Sequence, residues 1–429
     1  MRILVSNNKR KLYNKNFTLL VAGQIISLFG SAIQRFALSL YILEMTGSAS
    51  IFATILALSV IPVIVLAPFA GVMADRFHKA RIMVVLDFIS AAVLALYGVV
   101  LFTGNDHYMI VAIMMLVLSG LSTLYQPSVT ASIPLLVEEE DLMRANGIVQ
   151  QVASLSNFLG PIIAGMAYGF LSIKGVIVIN LASFFVSAVM ELFIELPYTK
   201  KEAQKTSVVK SFVSEIVGSY EYLKNENRIV FRMCITSGLY NLFLVPLLSV
   251  GSPYIIKVFL GQSSELYGVA EGVIAFGMIV GAMIVSKFPK GFHIRKIYIQ
   301  LYGASVCMAA MAAAVLFTDG SSQGNRISFA MFTLFGMGIM VVIGLANVVT
   351  ATYLQQATDA TMLGKVSAFG TAFATICVPV GQIIFGWLIE LFTAHLWVMV
   401  LLSAIATLLV TLLVRYNVRQ IPKEYNVNK

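Results

Sequence analysis

Apolar segments of about twenty residues recur along the whole chain, separated by short polar or charged turns. A helix of that length crosses a hydrocarbon core about 30 Å thick. The apolar residues are continuous within each run, whereas a membrane β-barrel would alternate apolar and polar positions. Hydrophobic residues make up 59% of the sequence, well above the roughly 45–50% of soluble domains. The chain is therefore predicted to be an all-α polytopic membrane protein.

Charged turns, and turns rich in Gly, Pro or Asn, divide the apolar runs into twelve predicted spans. The longest polar stretch separates the first six spans from the last six. It predicts an N-terminal six-helix half (1–196), a cytoplasmic linker (197–228) and a C-terminal six-helix half (229–429). Apolar linker residues recur at helical spacing, which indicates an amphipathic helix on the inner membrane surface, although an ordinary linker helix fits the same pattern. The predicted spans are 17–43, 50–74, 82–103, 107–136, 147–171, 175–196, 229–258, 266–286, 297–317, 327–354, 365–391 and 395–414.

Basic residues are concentrated in alternate turns. With the N terminus placed inside the cell, 25 of the 29 Lys and Arg fall on the inner side. Lys174, Lys257 and Arg326 fall on the outer side, and Arg35 lies within a span. This asymmetry follows the positive-inside rule and predicts a plasma-membrane protein with both termini in the cytoplasm. The inner turns also account for the net charge of +9, so we expect no nucleic-acid partner.

The turn Gly71–Arg81, GVMADRFHKAR, holds an unusual density of charge between two apolar spans. It resembles the signature between spans two and three of the major facilitator superfamily, roughly G-x-x-x-D-R-x-G-R-[RK]. His78 stands where the second glycine of that signature is usually found. The positions that fit the signature are Gly71, Asp75, Arg76, Lys79 and Arg81.

A second motif narrows the resemblance. The stretch NFLGPIIAG is similar to the G-P-x-x-x-G element of span five, which is associated with antiporters in the superfamily. The residues that match this element are Gly160, Pro161 and Gly165. Further segments resemble the macrolide-efflux branch of drug:proton antiporters, which also contains siderophore exporters and lysophospholipid flippases. Those segments are 22–34, 44–49, 81–87, 126–137 and 143–150.

The resemblance implies a transporter of twelve helices that works by alternating access. It would export an amphipathic, drug-like compound by proton antiport, with a lysophospholipid flippase or a siderophore exporter as the alternative. Many drug antiporters use an Arg in span four for coupling, but residues 109–137 contain neither Arg nor Lys. The usual coupling scheme therefore does not transfer to this chain.

The resemblance also implies a latch in the charged turn. Asp75 and Arg76 would hold two helix ends together when the protein is open outward and release them otherwise. Asp87, six residues after Arg81, is interpreted as a brace for this turn rather than as a proton site. The simpler alternative is a basic stop signal, which would leave the carboxylate of Asp75 unexplained.

Two charged residues within spans are candidates for proton coupling. Arg35 must face a cavity, a partner or the interface, because an Arg that faces lipid is costly. Glu271 lies in span eight among four glycines, where a carboxylate can carry a proton. The two side chains would alternatively pair with each other as a structural contact. Glu191, Glu195 and Glu390 lie near span ends and are interpreted as interfacial.

Polar residues in spans one and seven, and in span ten, are candidates for the substrate cavity, because the superfamily builds its central cavity from spans one, four, seven and ten. In lipid such groups must turn inward, where they either line a path or bond neighbouring helices. Gly160 and Pro161 should bend span five, since Pro lacks a backbone donor. Gly277 and Gly281 predict a packing seam along which the halves move. The cavity candidates are Gln24, Gln34, Arg35, Asn241 and Asn347.

Several motifs are missing from the sequence. It contains no Walker phosphate loop, no H-E-x-x-H, no G-x-S-x-G and no cluster of His and Cys. We therefore expect no enzymatic activity, no cofactor and no metal site, and a monomer whose partners are a small amphipathic substrate, protons and the lipid bilayer. The three cysteines all lie in apolar segments and are interpreted as buried small hydrophobes.

Overall fold

The structure is a computed structural model that describes Leu12 and residues 14–197, 208–318 and 320–421. Regular secondary structure in this part of the chain is entirely helical. The helices are α1 (Lys15–Thr46), α2 (Ala49–Arg76), α3 (Lys79–Phe102), α4 (Tyr108–Leu136), α5 (Leu142–Glu191), α6 (Val208–Asn225), α7 (Arg228–Phe243), α8 (Ser264–Lys287), α9 (Ile297–Leu316), α10 (Ser322–Ala357), α11 (Ala360–Leu391) and α12 (Leu396–Val418).

Eleven segments of the described chain are long and apolar enough to cross a membrane. One of them, Glu139–Glu191, has 53 residues, which is enough for two crossings at about 1.5 Å per residue. Its backbone leaves helical geometry at Ser172, where φ is 57° and therefore left-handed. This kink separates the predicted spans five and six, so the structure confirms a multi-pass, all-α membrane protein.

The predicted bend in span five does not break its helix. Pro161 lies inside α5, and the backbone leaves helical φ and ψ at Ser172, eleven residues later. Gly160 instead serves a close helix contact, because a Cβ built on it would lie 2.5 Å from the Cβ of Ala32 in α1. Gly165 is buried within the same helix.

The seventh predicted span is helical along its length but not uniformly so. Regular α-helix ends at Phe243, and two wider π-helical turns follow at Leu247–Gly251 and Tyr254–Phe259. Pro246 and Pro253 immediately precede these turns. Because proline has no backbone N–H to donate, it disturbs the regular ladder of hydrogen bonds. Such π-turns are frequent at functional sites.

The described residues form two compact units. The first unit contains the chain up to Leu38 together with Val65–Val208, and the second contains Ser39–Ile64 and the chain from Val209 onward. The last turns of α1 and the first half of α2 therefore pack with the C-terminal helices. The predicted boundaries at 196 and 228 remain a prediction, and part of the predicted linker, 198–207, lies outside the described residues.

A close glycine contact holds α8 against α10 in the second unit. Cβ atoms built on Gly277 and Gly281 would collide with the carbonyl oxygens of Met337 and Val341. Helices in a membrane gain stability mainly from such close packing, because lipid is as apolar as the side chains. The predicted seam therefore exists, but it joins two helices of one unit instead of separating two moving halves.

The structure confirms the prediction of a buried small hydrophobe for Cys234, whereas Cys307 and Cys377 are only partly buried. Cys234, Cys307 and Cys377 are all free thiols, and Cys234 is buried in the core of the second unit. Its sulfur lies against Gly370 of α11, where a built Cβ would be 3.2 Å away. The thiol therefore acts as a small packing group.

Candidate functional site

The charged turn between α2 and α3 is exposed. Asp75 and Arg76 lie in the last turn of α2, and both side chains are open to solvent. Asp75 has no hydrogen-bond or ion-pair partner in the described part of the chain. Space around Gly71 is open as well, since a built Cβ would meet no atom within 4 Å. The latch predicted for Asp75 is thus not engaged in this structure and stays a prediction.

Two predicted cavity residues meet in the second unit. Asn241 of α7 and Asn347 of α10 both line a cavity of about 140 Å³. Its walls are mainly apolar side chains from α7, α9 and α10, and the hydroxyl-bearing residues among them are Thr236, Ser237, Tyr240 and Thr350. Asn241 donates from Nδ2 to the carbonyl oxygen of Ala374, at 3.2 Å. The cavity thus combines an apolar lining with a few fixed polar groups.

The predicted cavity residues of α1 lie in the first unit, where each has a different environment. Gln34 is buried, and its Oε1 has no hydrogen-bond partner in the described chain. Arg35 is exposed and forms no hydrogen bond or ion pair within that same part of the chain. Gln24 is fully buried and belongs to a separate polar cluster, described below.

Glu271 is half-buried in α8 and is held by hydroxyl groups. It accepts a hydrogen bond from Ser252 Oγ at 3.2 Å and a second from Tyr267. Ser252 lies between the two π-helical turns that follow α7, so these turns bring its hydroxyl to the carboxylate. Glu271 therefore lies in a polar environment that satisfies an ionised carboxylate in part.

A buried polar cluster in the first unit joins four helices. It consists of Gln24 of α1, Asp87 of α3, Tyr125 of α4 and Glu191 of α5, and we call it the acidic cluster. These side chains are between 0% and 4% exposed. Gln24 donates from Nε2 to the Tyr125 hydroxyl at 2.9 Å, and that hydroxyl donates to Glu191 Oε1.

Serine residues complete the surroundings of the acidic cluster. Ser27 lies 3.5 Å from Asp87 Oδ1, and Ser187 contacts the same carboxylate. Ser187 also donates to the backbone carbonyl oxygen of Gly23 at 3.2 Å, which ties α5 to α1. Ser187 and Glu191 are four residues apart and therefore share one face of their helix.

The structure corrects two interpretations of these acids. Asp87 was expected to brace the charged turn, but its carboxylate faces Ser27 and Ser187 instead. Glu191 was interpreted as interfacial, which is wrong, because α1 and α4 cover it and leave 1% exposed. The sequence did hold a signal for this buried cluster. Two polar residues share one helix face in span one, Gln24 and Ser27, and two share one face in span six, Ser187 and Glu191, with no basic residue close by in either span.

Another polar contact group in the second unit surrounds the turn between α1 and α2. Lys257 Nζ lies 3.2 Å from Glu44 Oε1 and 2.9 Å from Ser264 Oγ. On the same turn, Ser48 donates from Oγ to Glu390 Oε1 at 2.6 Å. Charge distribution predicts that these helix ends face the outside of the cell. In that orientation, the Lys257–Glu44 and Ser48–Glu390 contacts would hold these helix ends together at the outer side of the membrane.

Comparisons with known proteins agree with this architecture. Macrolide efflux protein A from Streptococcus pyogenes is 25% identical over 363 residues, which cover 85% of this chain and 86% of that protein. The staphyloferrin A transporter of Staphylococcus aureus is 22% identical over 322 residues, covering 74% of this chain and 76% of its own.

Solved structures show the same fold at low sequence identity. The nucleoside transporter NupG superposes with a TM-score of 0.71 at 12% identity, covering 95% of this chain and 99% of its own. A bacterial homologue of the iron transporter ferroportin gives 0.67 at 16% identity, with coverages of 94% and 98%. Residues 20–374 match the Major Facilitator Superfamily. The match spans most of the chain and agrees with the helical fold, so this protein belongs to the Major Facilitator Superfamily of transporters.

Proposed function

We propose that this transporter exports a small amphipathic compound from the cell in exchange for protons. It would work as a monomer in the plasma membrane, with both termini in the cytoplasm. The observation that carries the proposal is the cavity of the second unit, where Asn241 and Asn347 lie among mainly apolar side chains. Export by proton antiport is the function that this chemistry supports best.

The cavity suits part of an amphipathic molecule. Ligand pockets for drug-sized compounds usually measure about 300–1,000 Å³ and combine apolar walls with a few polar groups. The cavity of about 140 Å³ has that mixed lining but holds only a fragment of such a ligand. Its two amides can each donate and accept, so they bind neutral polar groups without requiring a charge.

Buried carboxylates supply the means of coupling. Glu271 in the second unit, and Asp87 and Glu191 in the first, lie inside membrane-spanning helices. Ionisable residues at such positions mark proton or ion pathways in transporters. Macrolide efflux protein A is a relative over most of this chain, and its name supports drug export as the direction and the substrate class.

A second candidate is the export of an anionic siderophore. It is favoured by the similarity to the staphyloferrin A transporter and by the exposed guanidinium of Arg35, which is available to an anion. A guanidinium binds carboxylates through paired hydrogen bonds. Under this alternative, Arg35→Gln abolishes transport of anionic compounds and leaves transport of neutral compounds intact.

Reconstituted vesicles test the proposal directly. Purified protein in proteoliposomes should accumulate a radiolabelled macrolide when a pH gradient is imposed, and an ionophore that collapses the gradient should stop accumulation. The matched control is vesicles without protein. Macrolide accumulation that continues at full rate after collapse of the gradient contradicts proton antiport. Transport of a siderophore but not of the macrolide would favour the second candidate.

A further inference from the structure

Two carboxylates are buried together in the first unit without a basic partner. Asp87 is 2% exposed and Glu191 is 1% exposed. In the part of the chain that the structure describes, no Lys, Arg or His pairs with either group. We propose that the acidic cluster binds the proton that this transporter exchanges for its substrate. The exchange rests on the proposed function, whereas proton binding can be tested separately.

The negative charge of these buried carboxylates has to be compensated. An ionised carboxylate removed from water is costly unless a cation or several donors surround it. Ser187, which contacts Asp87, lies one helical turn before Glu191, so the two carboxylates share one polar site and ionising one disfavours ionising the other. Two carboxyl groups in one site therefore retain a proton between them, as in other paired carboxylates.

The hydrogen bonds indicate independently that a donor is needed. Within the acidic cluster, three buried oxygens lack a hydrogen-bond partner in the described chain, namely Asp87 Oδ2, Glu191 Oε2 and Gln24 Oε1. All three atoms are acceptors. The nearby donors, Gln24 Nε2 and the Tyr125 hydroxyl, are already bonded within the cluster. A proton on either carboxyl turns one of these acceptors into a donor, which then bonds a second acceptor.

The surrounding helices contribute no charge that would replace the proton. α1 presents the uncharged Gln24 and Ser27, α4 presents Tyr125, and α5 adds Ser187 beside Glu191. No group of three or more His, Cys, Asp and Glu in the described residues could hold a metal ion. A monovalent cation is the remaining competitor, and the experiment below separates it from a proton.

The exchange step is simple. A proton from water joins a carboxylate oxygen of Asp87 or Glu191, and the cluster becomes less negative by one charge. Release to the opposite side restores the charge. Helix α1 links this event to the predicted cavity residues, because Gln34 follows Gln24 by ten residues, or about 15 Å along the helix. A change in the charge of the acidic cluster thus acts on α1, the helix that also contains predicted substrate-cavity residues.

Infrared spectroscopy tests the site without a substrate. A protonated buried carboxyl group has a carbonyl band that a carboxylate lacks. We expect full-length protein in lipid nanodiscs to show this band and to lose it as the pH is raised. Glu271 and the exposed carboxyls keep their own contributions to the band, but the double variant Asp87→Asn, Glu191→Gln should lose the contribution of Asp87 and Glu191. Glu195→Gln, which removes an exposed carboxyl one turn after Glu191, should retain it.

A milder variant covers the case in which the double variant does not fold. Tyr125→Phe keeps the aromatic ring and removes the donor to Glu191. Losing a hydrogen bond to the ionised form favours the protonated form, so the band should persist to higher pH. An unchanged titration in Tyr125→Phe, together with an unchanged band in the double variant, overturns the proposal. So does a band that responds to Na⁺ at constant pH instead of to protons.

Transport measurements distinguish the two possible failures. If the band titrates as expected but a pH gradient drives no macrolide uptake into proteoliposomes, antiport fails while the proton site stands. If the gradient drives uptake and the double variant retains it undiminished, the assignment of this site fails while antiport stands. Loss of gradient-driven uptake in the double variant, with retention in Glu195→Gln, supports both.

Discussion

Nζ of Lys257 lies 3.2 Å from Oε1 of Glu44, and this ion pair joins the last turn of α1 to the turn that precedes α8. Lys257 is only 13% exposed and Glu44 is 40% exposed, so the pair is partly shielded from water. Ser264 bonds the same ammonium group. The pair therefore fixes one end of α1 within the second unit.

Breaking this pair should release the end of α1. We expect Glu44→Gln to lower stability by about 1 kcal/mol, because an ion pair of intermediate exposure is worth roughly that amount. Thermal unfolding in nanodiscs measures the change. A double-mutant cycle with Lys257→Met is the control, since the loss should be absent when the ammonium is already gone. Equal losses in both backgrounds would show that Glu44 acts through another contact.

Replacing the cavity amides should weaken substrate binding. Asn347→Leu keeps the approximate volume but removes a donor and an acceptor from the cavity wall. We expect KM for the transported macrolide to rise about tenfold, which corresponds to one hydrogen bond of about 1.4 kcal/mol. Initial rates of uptake measure it. Thr352→Val, on an exposed face of the same helix and bonded to its own backbone, should leave KM unchanged.

Asp75 should matter for turnover rather than for binding. Its carboxylate is exposed and unpaired in this part of the structure, so no contact present here depends on it. If it forms the predicted latch in another state, Asp75→Asn slows transport while substrate affinity stays constant. Equilibrium binding and uptake rates, compared in one preparation, check this. Glu140→Gln, another exposed acid, is the control. Normal turnover in Asp75→Asn would exclude the latch and support the simpler interpretation of the turn as a basic stop signal.

Glu271 and Glu191 should respond differently to amidation. Glu271 already accepts bonds from two hydroxyl groups, and a Gln can accept both. We therefore expect Glu271→Gln to retain part of the gradient-driven uptake and Glu191→Gln to lose it. Both variants should still exchange labelled for unlabelled substrate, which requires no net proton movement. The reverse order of the two variants would place coupling at Glu271, as the sequence suggested.

The glycine contact between α8 and α10 should tolerate no side chain. A methyl group on Gly281 would collide with the carbonyl oxygen of Val341. We expect Gly281→Ala to destabilise the protein by about 1–3 kcal/mol, the usual cost of overpacking. Gly71→Ala, at a helical site with open space, should be neutral or slightly stabilising. Equal thermal midpoints for the two variants would show that α8 shifts to make room.

The fold could be predicted because hydrophobic length is a local property. The length of each apolar run predicts one membrane span, and the basic residues of a turn predict on which side of the membrane that turn lies. The site could be predicted less well, because it depends on which helices meet. Asp87 and Glu191 are 104 positions apart, and each looked like a residue near a span end. Only the packing of α1, α3, α4 and α5 shows that both are buried in one polar cluster.

The cavity amides were easier to identify. Asn241 and Asn347 are isolated polar residues within apolar runs. Because lipid offers an amide no hydrogen-bond partner, such a side chain must face protein or a cavity. Their spans were also those that the family resemblance placed around the substrate path. The wide turns after Phe243 were not predicted, since Pro246 and Pro253 indicate a disturbed helix without specifying its pitch.

The left-handed backbone at Ser172 has a consequence for topology. If Glu139–Glu191 crossed the bilayer as one long rod, the crossings would number eleven, and the chain would leave the membrane opposite to where it entered. If the chain instead turns back at the kink, there is one crossing more and the number is even. A reporter fused after Ile421 would then share a compartment with one fused before Asn14. The parity of the crossings in the described chain thus depends on the path of the backbone at one residue.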